Sequence, residues 1–111
     1  MKFKTQDYND LTVVELQGEL TGDFVEMLKN TMTNIISKKK LGIVLDLSNT
    51  VFFDSRGLEH LIWLRDYCYE NSCALKLAAM NETCGKILEL TRLDKEFDRY
   101  DQLADAVKSL A

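Results

Sequence analysis

The sequence has few of the residues that build metal centres, disulfide frameworks or flexible linkers. Its 111 residues include no proline, one histidine and three cysteines. With His60 as the single imidazole, a multi-histidine metal centre is excluded, and any histidine-based catalytic group would have to use it. Cys68, Cys73 and Cys84 are odd in number and lack Cys-x-x-Cys spacing, so neither a disulfide framework nor a zinc site is indicated. We therefore expect reduced thiols in the cytoplasm, with no metal and no cofactor.

Long apolar runs and basic clusters are also missing. The longest apolar runs, such as residues 43–45 and 51–53, fall far short of the roughly 20 residues that cross a bilayer. Residues 1–4 lack the apolar segment of a secretory signal. With 14 basic and 18 acidic residues the net charge is −4, which argues against a general nucleic-acid binder. The lysines at 38–40 suit the end of a helix better than a binding patch.

The remaining composition is that of a compact domain. Apolar residues make up 46% of the chain, and repeats or low-complexity tracts are not evident. A chain of this length can bury one sizeable core but has no room for a second. We expect a single domain spanning residues 1–111.

The hydrophobic pattern alternates between strand and helix periods. It predicts a hairpin over residues 3–20 turning at Asn9 and Asp10, a helix from about residue 23 into the lysine run, a strand over 43–47, a short apolar crossing over 48–53, a helix from residue 54 or 55 to about 71, a strand over 74–79, a helix near 82–91, an extended piece around 97–100 and a last helix over 101–110. Strands that alternate with helices favour right-handed parallel crossovers. We expect a small α/β sandwich with a mixed sheet of four or five strands and about four helices.

The most informative segment for function is Asp54-Ser55-Arg56-Gly57, at the predicted start of the second long helix. Helix N-termini carry unpaired N–H groups and favour negative charge. Ser55 is either the N-cap, which is worth about 1 kcal/mol, or a phosphorylation site whose phosphate would add roughly −1.5 to −2 charges beside Asp54. Physical arguments alone favour the cap, but Asp54 is an equally good cap and would leave the Ser55 hydroxyl to a kinase.

Two further features of this segment bear on its role. A glycine in the first turn costs a helix about 1 kcal/mol relative to alanine, so Gly57 indicates a reason of packing or close approach, or else simple crowding against the neighbouring strand. A catalytic Ser55 is disfavoured because His60 lies one and a half turns along the same helix. The chain contains neither of the glycine-rich phosphate-binding motifs. We expect no catalytic residues.

A helical projection divides the second long helix into two faces. The apolar face, which we expect to lie on the sheet, comprises Leu58, Leu61, Ile62, Leu64 and Cys68. The opposite face comprises Arg56, Glu59, His60, Trp63, Tyr67 and Glu70. An outward tryptophan beside tyrosine and arginine is typical of a binding hot spot, although burial of Trp63 against a neighbouring helix is an equal alternative. We expect His60 to be a surface imidazole.

These residues resemble the STAS domain family over nearly the whole chain. The resemblance rests on residues 13–20, 43–48, 51–58, 75–77 and 87–94, and above all on the Asp-Ser-x-Gly-Leu motif at 54–58. In the bacterial anti-sigma factor antagonists of this family, the matching serine is phosphorylated by an anti-sigma factor serine kinase and restored by a PP2C-type phosphatase. The unphosphorylated antagonist binds the kinase and frees a sigma factor. The resemblance therefore implies a phosphoprotein of transcription regulation, not an enzyme, with Ser55 as its switch.

The implied partner-binding residues are drawn from this motif, its helix and the entry to the first helix. They are Asp54, Arg56, Gly57, Glu59, His60, Trp63, Tyr67, Glu19 and Thr21. Thr21 and Arg56 depart from the family pattern, which often has an aspartate and a small residue there, and both changes are expected to affect partner choice. We expect at most a weak dimer.

Two other functions remain open from the sequence. One is a constitutive STAS subunit of a lipid-transport or stress-signalling assembly, in which Ser55 serves only as a cap. The other is a nucleotide-binding or small-ligand-binding STAS domain that uses the loops at residues 18–22 and 54–57. The fold is expected to be the same in all three cases, so the decision depends on the site.

Overall fold

Strands and helices alternate along the chain as the hydrophobic pattern predicts. The computed structural model describes residues 1–110. The strands are β1 (Lys2–Tyr8), β2 (Leu11–Leu20), β3 (Gly42–Asp46), β4 (Thr50–Phe53), β5 (Ala74–Ala78) and β6 (Asp98–Tyr100). The helices are α1 (Val25–Ser37), α2 (Ser55–Glu70), α3 (Glu82–Leu90) and α4 (Leu103–Lys108), and short 3₁₀ turns occupy Gly22–Phe24 and Asp94–Glu96.

The sheet is mixed, with the strand order β1-β2-β3-β5-β6. Strands β1 and β2 form an antiparallel hairpin, in which Tyr8 pairs with Leu11 across the predicted turn. The other neighbours are parallel, with Val44 of β3 between Val13 of β2 and Lys76 of β5. The predicted α/β class and the antiparallel hairpin at one side are therefore confirmed.

Strand β4 is an addition to the predicted fold. Residues 48–53 were expected to be a crossing without strand structure, but Thr50–Phe53 pairs in parallel with the end of β2. The early part of β2 pairs with β3, and the register shifts between Gly18 and Leu20, where β4 takes over. Gly18 has φ of 112°, a conformation that favours glycine. The described chain thus has six strands where four or five were predicted.

Helices cover both faces of the sheet. Consecutive residues of a strand point to opposite faces, so Val14 joins the larger core and Val13 the smaller one. The larger core receives the apolar faces of α1, α2 and α3, and the smaller core lies under α4. All five residues of β3 are buried between these layers. The carboxyl ends of β2 and β4 carry the chain into α1 and α2, where the candidate site lies.

Candidate site at the start of helix α2

Asp54, and not Ser55, caps helix α2. The Asp54 backbone is extended, and its Oδ1 accepts a hydrogen bond of 2.7 Å from the backbone N–H of Gly57. Ser55 is the first helical residue, and its side chain is exposed. Of the two interpretations that the sequence left open, the structure selects the one in which the Ser55 hydroxyl has no capping role.

Asp54 also ties the end of β2 to the start of α2. Its Oδ2 accepts a hydrogen bond of 3.1 Å from the backbone N–H of Gly22, and its own N–H donates to the Leu20 carbonyl at 3.1 Å. Both carboxylate oxygens are therefore occupied by backbone donors. An ionised carboxylate only accepts hydrogen bonds, so this geometry suits aspartate better than any neutral residue of the same shape.

Gly57 is a spacer between α2 and β2. A Cβ atom at this position would lie 2.3 Å from the Leu20 carbonyl oxygen, a backbone atom that cannot shift as the end of a flexible side chain can. The glycine is therefore explained by crowding against the neighbouring strand, one of the two causes considered from the sequence. Because Gly57 is buried, it shapes the site from beneath and offers no surface to a partner.

The polar side chains around Ser55 make up a group that we call the loop cluster: Glu19, Thr21, Asp54, Ser55 and Arg56. Glu19, Ser55 and Arg56 are exposed, while Thr21 and Asp54 are half-buried. Arg56 extends over Gly22, since a Cβ on that glycine would lie 2.8 Å from the Arg56 Cδ and Nη1 atoms. Glu59, one turn further along α2, is also exposed. The fold thus brings together two segments that lie more than thirty residues apart in sequence.

The three ring side chains of α2 that were predicted to contact a partner, His60, Trp63 and Tyr67, stack on one another. The His60 and Trp63 rings lie 5.1 Å apart and those of Trp63 and Tyr67 4.9 Å apart, both in stacked orientation. The ammonium group of Lys29 on α1 lies 5.2 Å from the Trp63 ring centroid. Trp63 and Tyr67 are half-buried, so Trp63 is neither fully outward nor fully covered.

The prediction of a surface imidazole at His60 is wrong. His60 is only 3% exposed, because α2 also packs against α1. Burial, and secondarily Lys29, lowers the pKa of His60 to about 4, while Glu26 has a smaller opposing effect. Its Nε2 atom has no hydrogen-bond partner. His60 is therefore a neutral core ring at pH 7 and offers no surface to a partner.

Sequence reasoning missed Asn81, which is hydrogen-bonded to β4, the strand that leads into α2. Its Oδ1 caps α3 by accepting from the Cys84 N–H at 2.7 Å, and its Nδ2 donates to the Thr50 and Val51 carbonyls at 3.0 and 3.2 Å. Asparagine before an apolar helical pattern is a readable cap signal. The bonds to β4 depend on the tertiary fold, and no sequence signal indicates them.

Two kinds of feature are missing from the described residues. Within residues 1–110, no three side chains of His, Cys, Asp or Glu come together as a group that could hold a metal ion. In the same part of the chain, no helix combines the length and the hydropathy needed to cross a bilayer.

Comparisons with known proteins place this architecture in a family. The STAS domain model matches residues 2–106. The chain is 23% identical over 111 residues to a protein of Paenibacillus polymyxa named anti-sigma F factor antagonist, covering 99% of this chain and 95% of that protein.

Solved structures show the same fold. An anti-sigma factor antagonist from Mycobacterium paratuberculosis superposes with a TM-score of 0.87 at 24% identity, covering 98% of this chain and 92% of that one. An anti-sigma-factor antagonist (STAS) domain protein from Planctomyces limnophilus gives 0.85 at 19% identity, covering 97% of both chains. The family match over residues 2–106 and these shared folds lead to one conclusion: the chain belongs to the STAS domain family.

Proposed function

We propose that this protein is an anti-sigma factor antagonist, a non-enzymatic interaction module that binds an anti-sigma factor serine kinase until Ser55 is phosphorylated. Membership of the STAS family and the names of its relatives support this function. The observation that carries it is the exposed Ser55 at the first position of α2, relieved of capping by Asp54.

A phosphate on Ser55 is compatible with the folded structure. Helix N-termini favour anions because their N–H groups and dipole are positive there. The cap of α2 depends on Asp54 and Gly57, so it does not use the Ser55 hydroxyl. Phosphorylation would therefore change the charge of the surface while the fold persists, as a reversible switch requires.

The loop cluster is the proposed docking surface, together with Glu59 and the exposed parts of Trp63 and Tyr67. A phosphoserine would place roughly −1.5 to −2 charges between Asp54 and Arg56. Charge misplaced at a fitted interface opposes binding by several kcal/mol, which gives a physical reason for release. Thr21 and Arg56 are the residues at which we expect partner choice to differ from that of other antagonists.

The remaining parts of the proposal follow from this role. Residues 1–111 act as a single STAS domain in the cytoplasm, a PP2C-type phosphatase restores Ser55, and no nucleic acid takes part. The protein forms at most a weak dimer. The net charge of −4 agrees with a protein partner better than with a nucleic acid.

Mixing the protein with its candidate kinase and ATP tests the switch. We expect phosphate on Ser55 alone, and we expect Ser55→Ala to bind the kinase and remain unmodified. By calorimetry, Ser55→Asp should bind at least about tenfold more weakly than wild type, equivalent to about 1.4 kcal/mol. Ser37→Asp is the matched control. Ser37 is also exposed, but it is the last residue of α1, at the end of that helix away from Gly22.

Wild-type affinity of Ser55→Asp would contradict the switch. Full function of a Ser55→Ala strain, with co-purification of an ATPase and a permease, would instead indicate a constitutive transporter subunit. Heat of binding with ATP or GTP alone, in the absence of the kinase, would indicate a ligand-binding domain.

A further inference from the structure

Helix α2 ends in a cap that brings two cysteines together. The Cys73 N–H donates to the Cys68 carbonyl at 2.8 Å, and the Ser72 N–H donates to the Tyr69 carbonyl at 3.2 Å. Ser72 lies in the left-handed region, with φ of 56°. This pair of bonds defines a Schellman motif, in which the side chains at the positions of Cys68 and Cys73 are placed in contact.

Helix α3 ends in the same motif with different side chains. Leu93 donates to the Leu88 carbonyl at 2.8 Å and Arg92 to the Glu89 carbonyl at 3.0 Å, and Arg92 has φ of 60°. The contact positions there are Leu88 and Leu93, which supply the apolar contact that usually accompanies the motif. The α3 cap shows that two apolar side chains are enough at these positions. The thiol groups of the α2 cap are therefore not needed to form the motif.

The α2 cap holds the two cysteines within reach of a disulfide bond. The backbone hydrogen bond of 2.8 Å limits the separation of their Cα atoms to about 6.7 Å by the lengths of the intervening bonds, and disulfides span up to about 6.8 Å. Both cysteines are free in the structure, and the Cys73 thiol donates a weak hydrogen bond of 3.7 Å to the Ala74 carbonyl. The two cysteines are therefore reduced and close enough for a disulfide bond to form between them.

The two thiols differ in acidity. The hydrogen bond from the Cys68 thiol lowers the pKa of Cys73, whereas that bond and burial raise the pKa of Cys68. Burial also raises the pKa of Cys84, to about 11. Because the thiolate is the nucleophile, these pKa directions favour Cys73 over Cys68 and Cys84 for the first attack.

A small cleft gives access to the pair. Cys68 and Cys73 line a surface cleft of about 230 Å³ together with Arg65, Lys95 and Phe97. The cysteines are only 1% and 6% exposed, so an oxidant that reacts with the folded protein must be small enough to reach them through this cleft.

We propose that Cys68 and Cys73 are a hydroperoxide-reactive dithiol that closes to a disulfide within the folded protein. The Cys73 thiolate attacks one peroxide oxygen, so that an S–O bond forms, the O–O bond breaks and the leaving hydroxide takes up a proton as water. The Cys68 sulfur then attacks the resulting sulfenic acid, the S–S bond forms, and the second water leaves with the thiol proton. Two thiols are oxidised and one hydroperoxide is reduced.

This dithiol is independent of the proposed phosphorylation switch. Cys68 lies thirteen residues after Ser55 on the same helix, which places them about 20 Å apart along its axis at about 1.5 Å per residue. Failure of the dithiol proposal would leave the Ser55 proposal intact, and the reverse also holds.

Peptide mapping after exposure of the folded protein to hydrogen peroxide tests the proposal. Trypsin cleavage after Arg65 and Lys76 releases residues 66–76, which contain Cys68 and Cys73, while Cys84 falls in residues 77–86. We expect peptide 66–76 to lose two hydrogen masses and to regain them with dithiothreitol. Peptide 77–86 should remain reduced, and circular dichroism should show an unchanged fold.

Three variants make the result decisive. Cys84→Ala should form the disulfide as wild type does, and Cys73→Ser should lose it. The double variant Cys68→Leu with Cys73→Leu copies the α3 cap, so it should fold and show no loss of hydrogen mass. The proposal is overturned if peptide 66–76 stays reduced while Cys84 is oxidised, or if the disulfide forms only after urea has unfolded the chain.

Discussion

Helices α2 and α3 share one backbone design but carry different chemistry. Each begins at a side-chain cap that accepts a 2.7 Å bond from the N–H of the third helical residue, Gly57 in α2 and Cys84 in α3. Each ends in a Schellman motif. The α3 cap is a neutral amide and its terminal contact is Leu88 against Leu93, whereas α2 uses a carboxylate at one end and two thiols at the other.

The comparison separates what a helix of this fold requires from what α2 adds. An amide and two leucines suffice at α3, so neither negative charge nor sulfur is needed to start or end a helix here. The additional chemistry of α2 lies at its two ends, at Asp54 with Ser55 and at Cys68 with Cys73. These two ends carry the proposed phosphorylation switch and the proposed dithiol.

Replacing the buried glycine of each helix should give the largest difference in stability between α2 and α3. In Gly57→Ala the new methyl group would lie 2.3 Å from the Leu20 carbonyl, so β2 and α2 must move apart. We expect a loss of about 3 kcal/mol in the free energy of unfolding, measured by urea titration. In Gly85→Ala the nearest atom is the Arg99 Nη2 at 3.1 Å, at the end of a flexible side chain. Its stability should stay within about 1 kcal/mol of wild type.

Equal stability of the two glycine variants would contradict the contact between α2 and β2. A second measurement distinguishes local from global damage. Because the Gly57 N–H bonds to Asp54, amide exchange in the first turn of α2 should rise more in Gly57→Ala than exchange in α3.

The sixth helical residue provides the second difference, since it is His60 in α2 and Ile87 in α3. The pKa of His60 is lowered from 6.5 to about 4 in the folded protein, so the unfolded chain takes up the proton first as the pH falls. The stability that depends on a neutral His60 is therefore fully present above pH 6.5, and it is lost as the pH falls toward 4. The loss due to His60 should reach about 2 kcal/mol near pH 5.

His60→Leu is the control for this pH dependence. Carboxylates throughout the chain also titrate in acid, so the relevant quantity is the difference between the two proteins in urea titrations at neutral and acidic pH. The variant should be at least as stable as wild type at pH 7, because the buried Nε2 has no partner to lose. Parallel pH profiles of the two proteins would show that His60 becomes protonated without destabilising the fold.

The same two helices show how far the sequence predicts the structure. Apolar periodicity located α2 and α3 to within about one residue, because their core faces repeat at helical spacing. It did not predict the burial of His60. A helical projection identifies the face of α2 that lies on the sheet, but it gives no information about packing against α1. Strand β4 was missed because four residues are too few to show a strand period.

The candidate site was only partly readable for a similar reason. The motif at residues 54–57 identified Ser55 and the two possible caps, and Gly57 indicated a close approach. The bond from Gly22 to Asp54 crosses thirty-two residues, and the contact of Cys68 with Cys73 requires Ser72 in a left-handed conformation. Both depend on tertiary geometry that residue spacing does not encode.

Exchanging the two caps should give the smallest effect and test the comparison most directly. In Asp54→Asn the amide oxygen still caps Gly57, but the amide nitrogen cannot accept from the Gly22 N–H, so we expect a loss of about 1 kcal/mol. In Asn81→Asp the cap of Cys84 is kept while both donations to the Thr50 and Val51 carbonyls are lost, with a loss of about 1 to 2 kcal/mol. Thermal unfolding measures both. Amide exchange should increase at Gly22 in the first variant and in β4 in the second, and an exchange of these two patterns would contradict the assigned bonds.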